Sequence, residues 1–406
     1  MDLFKNLSQE VQQYLIVTAN YWAFTLTDGA LRMLVVLYFH LQGYAPLEIA
    51  LLFLFYEFFG VLTNLFGGWL GARLGLNRTM NAGLTLQIIA LSMLLMPSGM
   101  LTVFWVMAAQ ALSGIAKDLN KMSAKSAIKL LIPEDNQQGL YRWVALLTGS
   151  KNALKGLGFF IGGVLLALFG FQTAILIMAC VLFAVLMFSL FALKNDLGRA
   201  KDKPKFTQMF SKTSSVNLLA AARLFLFGAR DVWFVVALPV YLVATLNWSS
   251  SFVGGFLASW VIAYGIVQSL SPSITGRAAG RVPDGRNLAA WALLLGLITA
   301  LISLSVYYAY DPFYTLLPGL IIFGAVFAIN SSMHSYLIVS YADAERVSMD
   351  VGFYYMANAG GRLVGTVLSG FLYQYYGLAQ CLFVSTAFIV VSALIATKLP
   401  SEAKAS

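Results

Sequence analysis

Apolar stretches of roughly 20 residues recur from one end of this 406-residue chain to the other, parted by short turns. Each is long enough to cross about 30 Å of hydrocarbon as a helix that satisfies its own backbone hydrogen bonds. The pattern predicts spans at 13–42, 46–72, 78–97, 101–126, 140–169, 172–193, 217–246, 250–275, 287–309, 313–340, 349–376 and 378–398. The outer turns are then LQGYAP, PSGM, GFQ, NWSS, YDPF and YGLA, and none holds Lys or Arg. The inner segments hold Arg73 and Arg78, Arg142, the basic run from Lys194 to Lys212, Arg277, Arg281 and Arg286, then Arg346 and Lys398. This positive-inside bias predicts an even number of spans and places both termini in the cytoplasm.

Composition supports that reading. Hydrophobic residues make up 60% of the chain and charged residues 11%, and the mean hydropathy is +0.79. A soluble fold of this size carries far more charge. The net charge of +9 lies mostly in the inner loops, so it reads as orientation and lipid attraction rather than as a nucleic-acid stripe. Cys180 and Cys381 fall inside apolar helices and read as small core residues, not a disulfide or metal pair. The opening MDLFKNLSQEVQQ lacks the basic region and short apolar core of a cleaved signal, so the first span is expected to be retained.

The polar, basic segment 194–216 divides the chain near its middle. The expected organisation is an N-terminal six-helix bundle at 1–193, a cytoplasmic linker at 194–216 and a C-terminal six-helix bundle at 217–406. The halves show traces of duplication. Gly71 and Gly75 in GGWLGARLG match Gly276 and Gly280 in PSITGRAAG at an offset of 205, and Gly158 and Gly163 match Gly365 and Gly370 at 207. Parallel six-helix repeats joined by a long inner loop describe the major facilitator architecture, with its pseudo-two-fold axis along the membrane normal.

The segment GGWLGARLGLNR resembles the loop motif of that superfamily, Gly-x-Leu-x-Asp-Arg-x-Gly-x-x-Arg. Gly68, Leu70, Arg73, Gly75 and Arg78 match, whereas Ala72 stands where the family usually has Asp. GFFIGG at 158–163 is similar to the antiporter motif Gly-Pro-x-x-Gly-Gly, with Phe159 in place of Pro. Within the superfamily, YWAFTLTDGALRMLVVLYFHLQGYAPLEIALLFLFYEFFGVLTNLFGGWLGARLGLNRTMN and DVGFYYMANAGGRLVGTVLSG resemble the organoarsenical efflux permeases called ArsJ. That resemblance implies export of 1-arseno-3-phosphoglycerate from the bacterial cytoplasm across the inner membrane, and hence arsenate resistance. It also implies a functional link to glyceraldehyde-3-phosphate dehydrogenase, which makes the ester from arsenate, without direct binding.

The charged residues inside the spans point to the chemistry. Counted from the outer turns at about 1.5 Å per residue, Arg32 and Glu57 lie near the bilayer centre. Asp28 lies a turn deeper, and Lys117, Asp118, Lys155 and Arg362 lie in the inner half. Lys151, Arg230, Asp231 and Asn358 lie near the inner edge. Six cations (Arg32, Lys117, Lys151, Lys155, Arg230, Arg362) stand against four acids (Asp28, Glu57, Asp118, Asp231). Charges at this depth must face a partner or a water-filled path, and the surplus of cations suits a phosphate-like anion.

Lys155 and Arg362 occupy repeat-related positions, as do Lys151 and Asn358, so Lys155 and Arg362 are expected to face one another over one cavity. Each either contacts substrate, snorkels to the interface or pairs with an acid. Asp28 and Arg32, spaced i, i+4, can form an internal ion pair, or serve as a proton-sensitive acid and a ligand. Glu57 is either a proton-coupling acid or a satisfied polar group, and Asp118 and Asp231 are further coupling candidates. Arg230 and Asp231 are adjacent, so they are expected to diverge rather than neutralise one another. Of the stripe Lys117, Lys121, Lys125 and Lys129, only Lys117 is expected to be deep. Asn330 and His334 share a face near the inner surface, where a solvated or structural His competes with a proton relay. Tyr21 and Tyr354 either bind a ligand or pack.

No metal-ligand spacing, phosphate-binding loop or nucleophile–base pair appears in the sequence. No catalytic residue, metal site or cofactor is therefore expected, and a membrane enzyme or ATP-driven pump is disfavoured. The expectation is a monomeric secondary exporter of a small anion, driven by protons through alternating access. A channel, or an antiporter for another organophosphate or drug-like anion, is the alternative.

Overall fold

The computed structural model describes residues 9–43, 52–131, 136–193, 213–248, 250–275 and 282–400. Among them every regular element is helical. The helices are α1 (Gln9–Leu41), α2 (Leu54–Leu74), α3 (Leu76–Met93) and α4 (Val103–Leu131), with a short 3-10 turn at Ser98–Met100. A long stretch, Gln137–Ala192, follows, then α7 (Ser214–Phe234) with the short continuation Ala237–Ala244. After these come α8 (Ser250–Thr275), α9 (Gly285–Tyr307), α10 (Leu316–Tyr341) and a second long stretch, Val347–Ala396.

Both long stretches are broken by one glycine. Gly170 has φ 73° and ψ 176°, and Gly377 has φ 76° and ψ −176°. An L side chain rarely adopts this backbone, so glycine is what lets the chain reverse there without a loop. The breaks define α5 (137–169), α6 (171–192), α11 (347–376) and α12 (378–396). The described helices are consistent with the twelve expected spans, and seven stretches, counting each long one once, are long and apolar enough to cross a membrane.

The seventh span departs from expectation. It is predicted as one helix, but α7 ends at Phe234 and a new helix starts at Ala237. Pro239 supplies the reason, because its ring clashes with the carbonyl four residues back, at Val235, and it has no N–H to donate. The freed Ala237 N–H donates to Ser369 Oγ of α11 at 3.1 Å.

The chain gathers into two compact units. The first takes Met1–Asn136, Ser150–Ser211 and Ala342–Met356; the second takes Gln137–Gly149, Lys212–Tyr341 and Ala357–Ser406. Each holds most of one half of the sequence and a short piece of the other. The 194–216 segment lies outside the described residues except for 213–216, as do Arg277 and Arg281.

In the first unit, Phe24, Leu31 and Val35 of α1 pack with Leu84 and Leu91 of α3, Val106 of α4 and Ile175 and Leu182 of α6. Small residues bring α1 and α5 together: a Cβ at Gly158 would lie 2.5 Å from Leu26 O and 3.1 Å from Gly29 Cα. Lipid offers no hydrophobic drive for helix pairing, so such close approach supplies the dispersion contacts that hold spans together. In the second unit, Trp233, Trp260, Leu295, Phe323, Phe327 and Leu382 form the core. Gly365 of α11 meets Gly228 of α7 in the way that Gly158 meets α1, with a Cβ 2.6 Å from Gly228 O.

Candidate functional site

In the first unit the buried charges gather around Tyr56 of α2. Its hydroxyl donates to both oxygens of Asp28 on α1, at 2.7 and 3.0 Å. Its ring lies under the Arg32 guanidinium at 4.7 Å and the Lys117 ammonium at 3.8 Å. Arg32 bonds Glu57 Oε1 through Nη2 at 3.1 Å. Lys155 of α5 brings Nζ to 3.9 Å from Asp28 Oδ2. Asp118 is buried between Lys117 at 3.7 Å and Lys121 at 2.5 Å. Gly60 makes room for it, since a Cβ there would lie 2.8 Å from Asp118 Oδ2.

Two expectations change here. The internal pair that the i, i+4 spacing allows for Asp28 and Arg32 is not made; each takes its partners from other helices, which ties α1 to α2 and α5. Lys121, Lys125 and Lys129 were expected at the inner surface, yet Lys125 is 2% exposed, and Lys121 and Lys129 are half-buried. Depth along a helix does not say which way a side chain faces, and this face of α4 turns inward. Lys151 is half-buried on α5, and the Tyr21 hydroxyl of α1 is buried with no hydrogen-bond partner among the described residues.

The second unit holds an equivalent arrangement. Asp231 of α7 is 0% exposed. Its Oδ2 accepts from Arg362 Nε of α11 at 3.0 Å, and its Oδ1 accepts from Arg230 Nη2 at 2.5 Å and Nε at 2.6 Å. The expectation that Arg230 and Asp231 diverge is therefore wrong. Neighbouring Cβ atoms do diverge on a helix, but the arginine stem is long enough to fold back onto the next carboxylate. Phe227 and Phe327, 5.0 and 5.6 Å from the Arg230 guanidinium, wall the site.

The sequence reading overlooked Arg223, one of the most buried cations. Its Nε donates to Asn358 Oδ1 at 2.9 Å, its Nη1 donates to Ser331 O and Oγ at 3.3 and 3.1 Å, and its plane stacks on Phe227 at 3.7 Å. Gln268 extends this network from α8 to Ser331 Oγ at 3.1 Å. The signal is an arginine six residues inside the predicted seventh span. Asn330 donates to Leu288 O at 3.4 Å. His334 is 0% exposed, so it is not a solvated surface histidine, and neither ring nitrogen has a hydrogen-bond partner among the described residues. Tyr354 is buried too.

Lys155 and Arg362 fall in different units, each held by an aspartate of its own unit. Asp28–Lys155 joins α1 to α5, and Asp231–Arg362 joins α7 to α11, at repeat-related places in the chain.

In the loop motif, Gly75 has φ 99° and parts α2 from α3, its N–H bonding Gly71 O. A Cβ on Gly68 would lie 2.5 Å from Ser348 O of α11, so α2 and α11 touch backbone to backbone within the first unit. Arg73 and Arg78 are exposed, and Arg73 lies over Trp69 at 5.1 Å. Ala72, at the family's usual Asp position, is buried.

Both cysteines are free. Cys381 is buried, but Cys180 is exposed, correcting its reading as a core residue; on an apolar helix an outward face meets lipid. Among the described residues no three His, Cys, Asp or Glu side chains form a metal-binding group.

Residues 14–283 and 220–406 match the sequence model of the family described as Major Facilitator Superfamily. A comparison with curated proteins gave no match. Among solved structures, a Major Facilitator Superfamily transporter, FucP, in the outward conformation is similar at TM-score 0.74 and 13% identity, over 96% of this chain and 99% of that one. The human organic anion transporter MFSD10 is similar at TM-score 0.75 and 16% identity, over 96% and 100%. An outward-facing bacterial homologue of the iron transporter ferroportin is similar at TM-score 0.74 and 15% identity, over 97% and 99%. At such identities these likenesses show the fold alone.

Proposed function

The chain belongs to the Major Facilitator Superfamily, and on that premise we propose that it is a secondary active exporter of a phosphorylated organoarsenical anion, 1-arseno-3-phosphoglycerate. The observation that carries an anionic substrate is the buried positive charge. In the first unit Arg32, Lys117, Lys121, Lys125 and Lys155 accompany Asp28, Glu57 and Asp118; in the second, Arg223, Arg230 and Arg362 accompany Asp231. Ammonium and guanidinium groups wholly or partly buried in such excess suit a solute that brings its own negative charge. The likeness of the quoted segments to organoarsenical permeases supplies the identity of that solute.

In this reading the protein sits in the bacterial inner membrane with both termini in the cytoplasm. A monomer moves the ester outward by alternating access, using the proton gradient, and confers arsenate resistance. The candidate acids to exchange a proton when substrate arrives are Glu57 first, then Asp28, Asp118 and Asp231. A second reading, an antiporter for another organophosphate or drug-like anion, is favoured by the same charges, since ammonium and guanidinium groups recognise phosphate and arsenate oxygens alike.

Everted vesicles supplied with glyceraldehyde 3-phosphate, its dehydrogenase, NAD and arsenate test the proposal. Arsenic uptake that depends on the dehydrogenase and on the chain is expected. Equal uptake with the dehydrogenase omitted would overturn the organoarsenical reading.

A further inference from the structure

Three lysines follow one another at single-turn intervals on α4, at 117, 121 and 125, with Asp118 beside the first. Lys121 and Lys125 share a cover: the ring of Tyr355, 4.6 Å from the Lys121 ammonium and 5.4 Å from that of Lys125. Tyr355 comes from α11, in the short piece of the second half that packs in the first unit. One turn before it, Gly352 meets α2, where a Cβ would lie 2.5 Å from Asn64 O and 2.9 Å from Gly68 Cα. The burial of two lysines thus depends on a helix end held against α2 through glycines.

We propose that Lys121 and Lys125 form a docking site for phosphate-bearing solutes on α4, which Tyr355 covers in this conformation and uncovers when the start of α11 leaves α2. The inference rests on the reading of the chain as an alternating-access anion transporter, and adds a second place where the anion binds.

The chemistry follows from the spacing. Residues four apart on a helix lie about 6 Å from one another, so two ammonium groups can each take an oxygen of one phosphoryl group. A ring face attracts a cation more weakly than a paired anion does, so the tyrosine is a cover that a dianion can replace. Asp118 binds Lys121 and Lys117, which keeps the column from carrying three uncompensated charges while it is covered. On uncovering, the site faces the side of the membrane that the basic inner loops assign to the cytoplasm, one helical turn from Lys117 and the Tyr56 cluster. An anion caught there has a short path to the deeper charges.

The test has two arms. In everted vesicles, Lys125→Cys in a Cys180→Ser, Cys381→Ala background is labelled with a membrane-impermeant maleimide. Gly352→Leu, which wedges α11 from α2, is expected to speed labelling about tenfold; Tyr355→Ala serves if that variant does not accumulate. Equally slow labelling in both backgrounds would show that the lysines stay buried, and would overturn the proposal. In the second arm, glycerol 3-phosphate and inorganic phosphate are titrated into the purified full chain carrying the opening substitution, in nanodiscs of neutral lipid. Lys121→Gln and Lys125→Gln are each expected to weaken binding about tenfold, the loss of one charge-assisted contact. Unchanged affinity in both variants overturns the site, and so does loss of binding in anionic-lipid nanodiscs, which would assign it to headgroups. Neither probe contains arsenic. A failure of organoarsenical uptake with these effects intact would therefore remove the proposed substrate and leave the docking site.

Discussion

Arg362 Nε donates to Asp231 Oδ2 across 3.0 Å, and the same carboxylate accepts from Arg230 through its other oxygen. One buried acid thus holds two guanidinium groups, ties α11 to α7, and leaves the cluster with a positive charge in hand. Asp28 does the same for α1 and α5 with Lys155, helped by the Tyr56 hydroxyl. Two carboxylates at repeat-related places therefore set the positions of the cations on which the functional reading depends.

Asp231→Asn is expected to destabilise the protein by about 3–5 kcal/mol, because it leaves Arg230 and Arg362 buried beside a neutral amide. Unfolding followed in detergent would show this as a lowered midpoint. Combining it with Arg362→Met should recover part of the loss. Arg362→Gln alone should cost less than Asp231→Asn, since the Arg362 side chain is 33% exposed and water can relieve what remains.

Lys155→Ala and Arg362→Ala, each expressed at the wild-type level, are expected to lower vesicle uptake at least about tenfold if a charge-assisted contact to substrate is lost. Normal uptake by both would take the pair out of the transport path and leave them a purely structural role with their aspartates.

Tyr56→Phe separates the two uses of that side chain. The ring under Arg32 and Lys117 stays, but Asp28 loses its hydroxyl donor, a cost of about 1.5–3 kcal/mol for a hydrogen bond to a charged group. Tyr56→Ala removes both and should cost more. Paired melting curves decide it: equal midpoints for the two variants would show that the ring contributes nothing.

Arg223→Lys is not a conservative change. A single ammonium cannot reproduce the fork that reaches Asn358 on α11 and Ser331 on α10 while stacking on Phe227. A loss of about 1–3 kcal/mol is expected from the unpaired polar groups. Arg223→Lys melting with the wild-type midpoint would contradict the network.

The helical layout was legible because lipid enforces it. Around 170 and 377 the expected spans end within a few residues of the observed helices, since a glycine between two long apolar runs has few other meanings. Pro239 was visible in the sequence, yet its break in the seventh span was overlooked, because hydropathy stays high straight through it. For the charged residues, depth could be counted but direction around the helix could not. That is why the sequence alone does not show that Lys125, Arg223 and His334 are buried. The divergence expected of Arg230 and Asp231 failed for a simpler reason: it followed the Cβ positions and ignored the reach of the arginine stem. Tyr56 carried no charge to draw notice, although it sits at the centre of the first cluster.

The single-residue breaks at Gly170 and Gly377 have a mechanical corollary. With one residue between them, α5 and α6 have no slack, and neither do α11 and α12; a displacement of one helix along its axis must be passed to the next. Each pair is a lever with a fixed elbow. The helices that carry Lys155 and Arg362 are therefore pushed or pulled whenever their neighbours α6 and α12 move. A longer, floppier connector at either elbow, such as three inserted glycines, would uncouple that stroke without touching a single charged residue.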